Sequence, residues 1–292
     1  SYFLLLTSYL SPLITSGTDM AYAQETPAPV DRPESLSLLE EGIRLFNSGR
    51  FNEAIKTFQE FSQLSPDNYL PYYYIGFSHF RLGDKASAKE ALKKAVELKP
   101  AFAPAHMGLA AIYEGEGRLD LAKKEYEMIL STEKEPGEVK IARDRLNRIN
   151  TILSTKHIQE AQRLVDEGKI EEAVRELSLA MEITPENIAI HMSLGSLYMR
   201  LRKPGEAIEA YKRAKGIAPG NPDIHMHLAA LYHSMASYKE AIEEFGEVIR
   251  LTPGTELSES ASKKLKEAED RLKMRGSFEE AARALREERL DD

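Results

Sequence analysis

Residues Ile188–Pro219 read IAIHMSLGSLYMRLRKPGEAIEAYKRAKGIAP, and the order of small, large and turn-forming residues in that stretch decides the fold. Apolar residues recur at intervals of three and four, the period of a helix buried along one face. Gly195 stands eighth and Ala207 twentieth. Side chains that small let two antiparallel helices come close, where a longer one would wedge them apart. Tyr211, twenty-fourth, is large enough to fill the space so created. Pro219, thirty-second, has no amide hydrogen to donate and disfavours helix in the residue before it, so it stops the second helix and sets the turn that follows. The stretch predicts one helical hairpin.

Working outward, the same order returns with a period of 34 residues, in units beginning at Ser35, Tyr69, Ala103, Ser154, Ile188 and Pro222. Every twentieth residue is alanine: Ala54, Ala88, Ala122, Ala173, Ala207 and Ala241. The eighth is Gly42, Gly76, Ala110, Ala161, Gly195 or Ala229, and the twenty-fourth Phe58, Leu92, Tyr126, Leu177, Tyr211 or Phe245. Gly49, Gly83, Gly117 and Gly168, near position fifteen, end the first helix where a positive φ is needed. Pro66, Pro100, Pro185, Pro219 and Pro253 close five of the units; in the third, Lys134 takes that place and Pro136 follows.

Small residues, an aromatic and a closing proline at these spacings resemble the tetratricopeptide repeat (TPR) family. The resemblance covers 35–136 and 154–255. It implies an all-α, right-handed superhelical solenoid of antiparallel helix pairs, with six units in register. Position four departs from the family's usual aromatic, reading Leu38, Tyr72, His106, His157, His191 and His225.

The register breaks once. Residues 137–153 (GEVKIARDRLNRINTIL) fall between units three and four with helical spacing and predict one extra helix. A longer period of 119 residues then emerges: Gly49 matches Gly168, Pro66 matches Pro185, and Ala142, Leu146 and Leu153 match Ala261, Leu265 and Leu272. The chain reads as two blocks, each of three repeats and one helix. Residues 256–292 predict capping helices, the first stopped by Gly276, then Ser277 and Glu280 as a capping box opening a degenerate seventh unit. A polar end of that kind prevents endless stacking.

Residues 1–23 predict the remnant of an export signal: Tyr2 to Ile14 is mostly apolar, and Ala21-Tyr22-Ala23 is a small-x-small cleavage pattern. The apolar run is shorter than the roughly 20 residues of a membrane span, and Pro12 interrupts it. Residues 24–34 (QETPAPVDRPE) predict an extended linker. A periplasmic or otherwise exported location follows as an expectation. The formal net charge of −8 lacks the basic footprint of a nucleic-acid binder. With no cysteine, thiolate metal sites and disulfides are excluded.

No nucleophile elbow or phosphate-cradling glycine loop occurs, and the sequence predicts neither an enzyme nor a cofactor. The recurring histidines, with His106-Met107, His191-Met192 and His225-Met226, leave a haem- or small-molecule-binding module as an alternative. Against it, residues one repeat apart lie on helices separated by about 8–10 Å, too far to share one ion. The other reading makes these rings structural, in place of the family's aromatic.

What the resemblance implies for binding is a concave groove lined by positions two, five, nine and twelve of the first helices. Among the residues at those positions are Leu39, Ile43, Phe46, Tyr73, Phe77, Phe80, Met107, Ile158, Met192, Met199, Met226 and His233, with Glu114, Gln162 and Val165 beside them. Methionine suits a surface that adapts to its partner; burial against adjacent repeats is the competing expectation. Family members that clamp a terminal carboxylate use lysine at position five and asparagine at nine. Here position five runs Leu39, Tyr73, Met107, Ile158, Met192 and Met226, so the expected ligand is an apolar protein segment. The expected function is a scaffold or adaptor that assembles or holds a multi-protein complex in the periplasm or cell envelope. A non-catalytic accessory subunit of an envelope enzyme is the further alternative.

Overall fold

The computed structural model describes residues 33–132 and 136–291, so the expected export signal and all but the last two residues of the expected linker lie outside the described residues. Among the described residues are thirteen helices and no strand. They are α1 (Pro33–Asn47), α2 (Phe51–Leu64), α3 (Tyr69–Arg81), α4 (Lys85–Leu98), α5 (Ala103–Gly115), α6 (Leu119–Thr132), α7 (Pro136–Asp166), α8 (Ile170–Ile183), α9 (Ile188–Arg200), α10 (Pro204–Ile217), α11 (Pro222–Ser234), α12 (Tyr238–Leu251) and α13 (Glu256–Asp291). None is long and apolar enough to cross a membrane. The chain divides into two compact units, one ending at Asn150 and the other beginning at Thr151.

The first unit contains the pairs α1/α2, α3/α4 and α5/α6. Ala54, Ala88 and Ala122 are fully buried where the helices of each pair touch. A Cβ added to Gly42 would stand 2.6 Å from the Phe58 ring, and one added to Gly76 would stand 2.7 Å from Leu92. The small residue at eight and the large one at twenty-four are therefore in direct contact, as interdigitated packing requires. Aromatic rings fill the space between pairs. Phe58 stacks on Tyr74 at 4.9 Å, Phe46 meets Tyr74 edge-on at 5.4 Å, and Tyr73 touches both Phe77 and Phe102. Each such ring contributes about 1.5–3 kcal/mol by its removal from water.

The second unit contains the end of α7 with α8, then α9/α10, α11/α12 and α13. Ala173, Ala207 and Ala241 are again fully buried, and a Cβ on Gly195 would lie 2.6 Å from the Tyr211 ring. Its core continues from Leu164, Leu177 and Leu194 through Tyr211, Ile224 and Leu228 to Phe245 and Val248. There α13 covers α12 with Leu257, Ala261 and Leu265.

One turn is used in all six pairs. The amide of residue fifteen donates to the carbonyl three back, and the next amide to the carbonyl five back: Gly49 to Phe46 with Arg50 to Leu45, and likewise up to Ala236 to His233 with Ser237 to Tyr232. This is the Schellman arrangement, which needs positive φ at the fifteenth residue. Gly49, Gly83, Gly117 and Gly168 adopt it, with φ between 73° and 85°. In the last two units Arg202 (φ 55°) and Ala236 (φ 58°) are held in the same conformation without being glycine. Between units, the side chains of Asn68, Asn187 and Asn221 accept from the amides of Leu70, Ala189 and Asp223 and cap the next first helix.

Three expected boundaries differ. The first helix begins at Pro33, inside the expected linker. Residues 137–153 do not form a separate helix but merge with the first helix of unit four as α7, because no glycine or proline interrupts the chain between Gly137 and Gly168. The expected stop at Gly276 is absent: α13 runs through it, and Ser277 Oγ donates to the Lys273 carbonyl inside the helix instead of capping a new one. An interior glycine costs a helix only about 1 kcal/mol, and the Ala-, Glu- and Arg-rich sequence on its C-terminal side outweighs that.

Candidate functional site

The twelve groove positions separate by burial. Leu39, Phe46, Tyr73, Phe77 and Met107 are buried at 4–8% exposure, so in the first unit these side chains are packing residues with little surface to offer a partner. Ile43 and Phe80 are half-buried. In the second unit Ile158, Met192, Met226 and His233 are half-buried and Met199 is 41% exposed. Ile158, Met192 and Met226 each rest one side on the core, against the clusters around Leu177, Tyr211 and Phe245. His233 meets the Tyr238 ring edge-on at 5.6 Å, and its Nε2 is buried without a hydrogen-bond partner. The accessible part of the expected groove is thus rich in methionine.

The position-four histidines are built into the joints between repeats. His106 Nε2 donates to the Pro100 carbonyl at 2.8 Å, and its Nδ1 faces Glu125 Oε2 at 2.7 Å. His225 repeats this with Pro219 at 2.8 Å and Glu244 at 2.6 Å. His157 faces Glu176 at 2.7 Å. Each proline is position thirty-two of the preceding repeat, and each glutamate is position twenty-three of the histidine's own. Burial presses the His106 pKa down, but the bonds from Glu125 and the Pro100 carbonyl outweigh it and hold the ring above its ordinary 6.5. At His191 the same place holds Ala210; Nε2 reaches the Pro185 carbonyl at 2.7 Å while Nδ1 is buried without a partner. The sequence carried a signal for this arrangement that position-four reading alone missed: glutamate at twenty-three accompanies histidine at four in three units of four.

Both ring nitrogens of His106 and of His225 already face protein groups at hydrogen-bond distance, so neither ring is turned toward an iron or another ion. Among the described residues there is no group of three or more His, Asp or Glu placed to hold a metal.

A second polar cluster lies in the first unit. Tyr126 donates to Glu114 at 2.5 Å, and Arg145 approaches the other oxygen of the same carboxylate at 3.5 Å. Burial and the Glu114 charge both push the Tyr126 hydroxyl well above its ordinary pKa, so it stays a neutral donor. Glu114, at position twelve of its unit, is thereby tied inward.

Two family models, both described as tetratricopeptide repeat, match residues 158–222 and residues 79–146 and 199–265. Among curated proteins, the type IV pilus assembly protein PilF of Pseudomonas aeruginosa is 28% identical over 140 residues, 47% of this chain and 49% of that protein. The DnaJ homolog subfamily C member 3 of Bos taurus is 29% identical over 108 residues, 37% of this chain and 21% of that one. The chain therefore spans about half or less of the length of these relatives. Among solved structures, the crystal structure of the P58(IPK) TPR domain is 21% identical, covering 87% of this chain and 69% of that one with a TM-score of 0.42. The matched models together span more than half of the chain, and from α4 onward they fall on the helix pairs described above, so the chain belongs to the tetratricopeptide repeat family.

Proposed function

We propose that the chain is a scaffold of the periplasm or cell envelope that holds an apolar segment of a partner protein while a larger complex is assembled. The carrying observation is the series Ile158, Met192, Met199 and Met226, partly exposed at groove positions of successive first helices in the second unit. Flexible, polarizable side chains there can fit an apolar helix or strand without a preformed pocket. The net charge of −8 turns nucleic acid away, and a partner with basic residues flanking its apolar core would gain from it. The location rests on the apolar run before Ala21-Tyr22-Ala23. One relative, PilF, is named for type IV pilus assembly, which agrees with a role of this kind.

The test is capture of the partner from native envelope extract. Met199→Glu should weaken capture with the melting temperature nearly unchanged, since Met199 is 41% exposed. Phe77→Glu is unsuitable, because a charge at that buried position would report on folding. Lys94→Glu, on the exposed face of α4, should leave capture intact. Full capture by a folded Met199→Glu protein would remove the second unit's groove from the reading. Intact mass of the native protein tests export: a first residue at or near Gln24 is expected, and retention of Tyr2–Ile14 would refute cleavage.

A further inference from the structure

At His106 and His225 the ring lies between two groups that only accept. A proline carbonyl faces Nε2 and a glutamate carboxylate faces Nδ1, all within 2.6–2.8 Å. A neutral imidazole carries one proton and a carboxylate none, so the two short contacts need one proton more than those groups hold when neutral and ionised. Carried on the ring, it makes an imidazolium with two donors. We infer that His106 is a proton-operated fastener between consecutive repeats, tying the turn of the preceding repeat to the second helix of its own.

The charged group at the ring sets which tie is lost. Glu125 on α6 faces His106, which from the α4 side meets the Pro100 carbonyl. His225 has the same geometry, but there Lys215 of α10 also binds the other oxygen of Glu244 at 2.7 Å. When the extra proton leaves, the remaining one stays on Nδ1, because a bond to a carboxylate is about twice as strong as one to a neutral carbonyl. Nε2 then turns a lone pair on the proline carbonyl, and the tie to the preceding repeat opens. His191, with Ala210 in place of glutamate, has no carboxylate to hold a proton on Nδ1, so its neutral form keeps the proton on Nε2. For His106 the folded pKa is raised, so the stabilisation is complete below the ordinary 6.5 and is lost as pH rises through the higher folded value. The joint between repeats two and three loosens in alkali.

Long-range 15N imidazole spectra of the full chain test this directly. His106 should be doubly protonated at pH 6 and pass to the Nδ1–H tautomer as pH rises, whereas neutral His191 should be the Nε2–H tautomer. Melting temperatures between pH 6 and 8.5 give the second readout. Loss of the tie should lower the wild-type value by about 2–4 °C. In Glu125→Gln the amide can donate to an unprotonated Nδ1 while Nε2–H keeps the carbonyl, so the dependence on pH should be flatter. A His106 ring that is singly protonated at pH 6, or a Glu125→Gln variant with the wild-type slope, would overturn the inference.

Discussion

Replacing Ala236 by glycine should make the protein more stable. Ala236 sits at φ 58° in the turn that four other pairs make with glycine. A Cβ built on Gly49, Gly83, Gly117 or Gly168 meets nothing within 4 Å, so glycine at this position is used for its backbone and not for space. Ala236 is exposed, and removing its methyl group forfeits no packing. The left-handed conformation costs an L-residue about 1–2 kcal/mol. Glycine returns part of that, about 0.4–1 kcal/mol, through the greater freedom of its unfolded chain. The net gain is about 0.5–1 kcal/mol. Arg202→Gly, exposed at φ 55°, should add a similar amount, since the two turns belong to separate pairs. Urea titration followed by far-ultraviolet circular dichroism is the assay. With a slope of about 1–3 kcal/mol per molar, the double variant's midpoint should rise by several tenths molar at unchanged slope. A midpoint that stays or falls would show that the alanine and arginine are not strained there, and the comparison among the six turns would be wrong.

Other outcomes follow from the same contacts. Ala207→Leu should cost about 1–3 kcal/mol in thermal melts by overpacking the fully buried joint between α9 and α10. Asn187→Ala should cost about 1 kcal/mol, because the amide of Ala189 loses its cap. In alkaline titration of tyrosine absorbance, Tyr126 and Tyr211 should both resist ionisation, and Tyr126→Phe should remove one tyrosine's share of that resistant component.

The repeat was legible because each of its marker residues has one local physical task. Gly195, Ala207 and Tyr211 meet as their sizes require, and the six alanines are all fully buried. Helix ends were less legible where the marker was single. Gly276 alone does not stop a helix, whereas Gly49 does so in company with the turn that Arg50 completes. The groove was legible as a set of positions but not as a surface. Tyr73 and Met192 both occupy position five, yet Tyr73 is buried among Tyr74, Phe77 and Phe102 while Met192 keeps part of its side chain exposed. Exposure at such a position depends on the bulk of neighbouring repeats, which periodicity does not encode. The histidine ties needed two positions, nineteen residues apart, to be read together.

The ring-on-ring packing of the first unit gives the protein an internal optical reporter. Phe46, Phe58, Tyr69, Tyr73, Tyr74, Phe77 and Phe102 hold one another at fixed angles, whereas the pairs found in the second unit are Tyr211 with His227 and His233 with Tyr238. With no tryptophan to mask them, these packed rings should contribute strongly to the near-ultraviolet dichroism. That signal should therefore weight the tertiary packing of residues up to Asn150, while far-ultraviolet dichroism follows all the helices. Denaturation curves recorded at the two wavelengths would coincide if the chain melts as one body and separate if its halves melt independently.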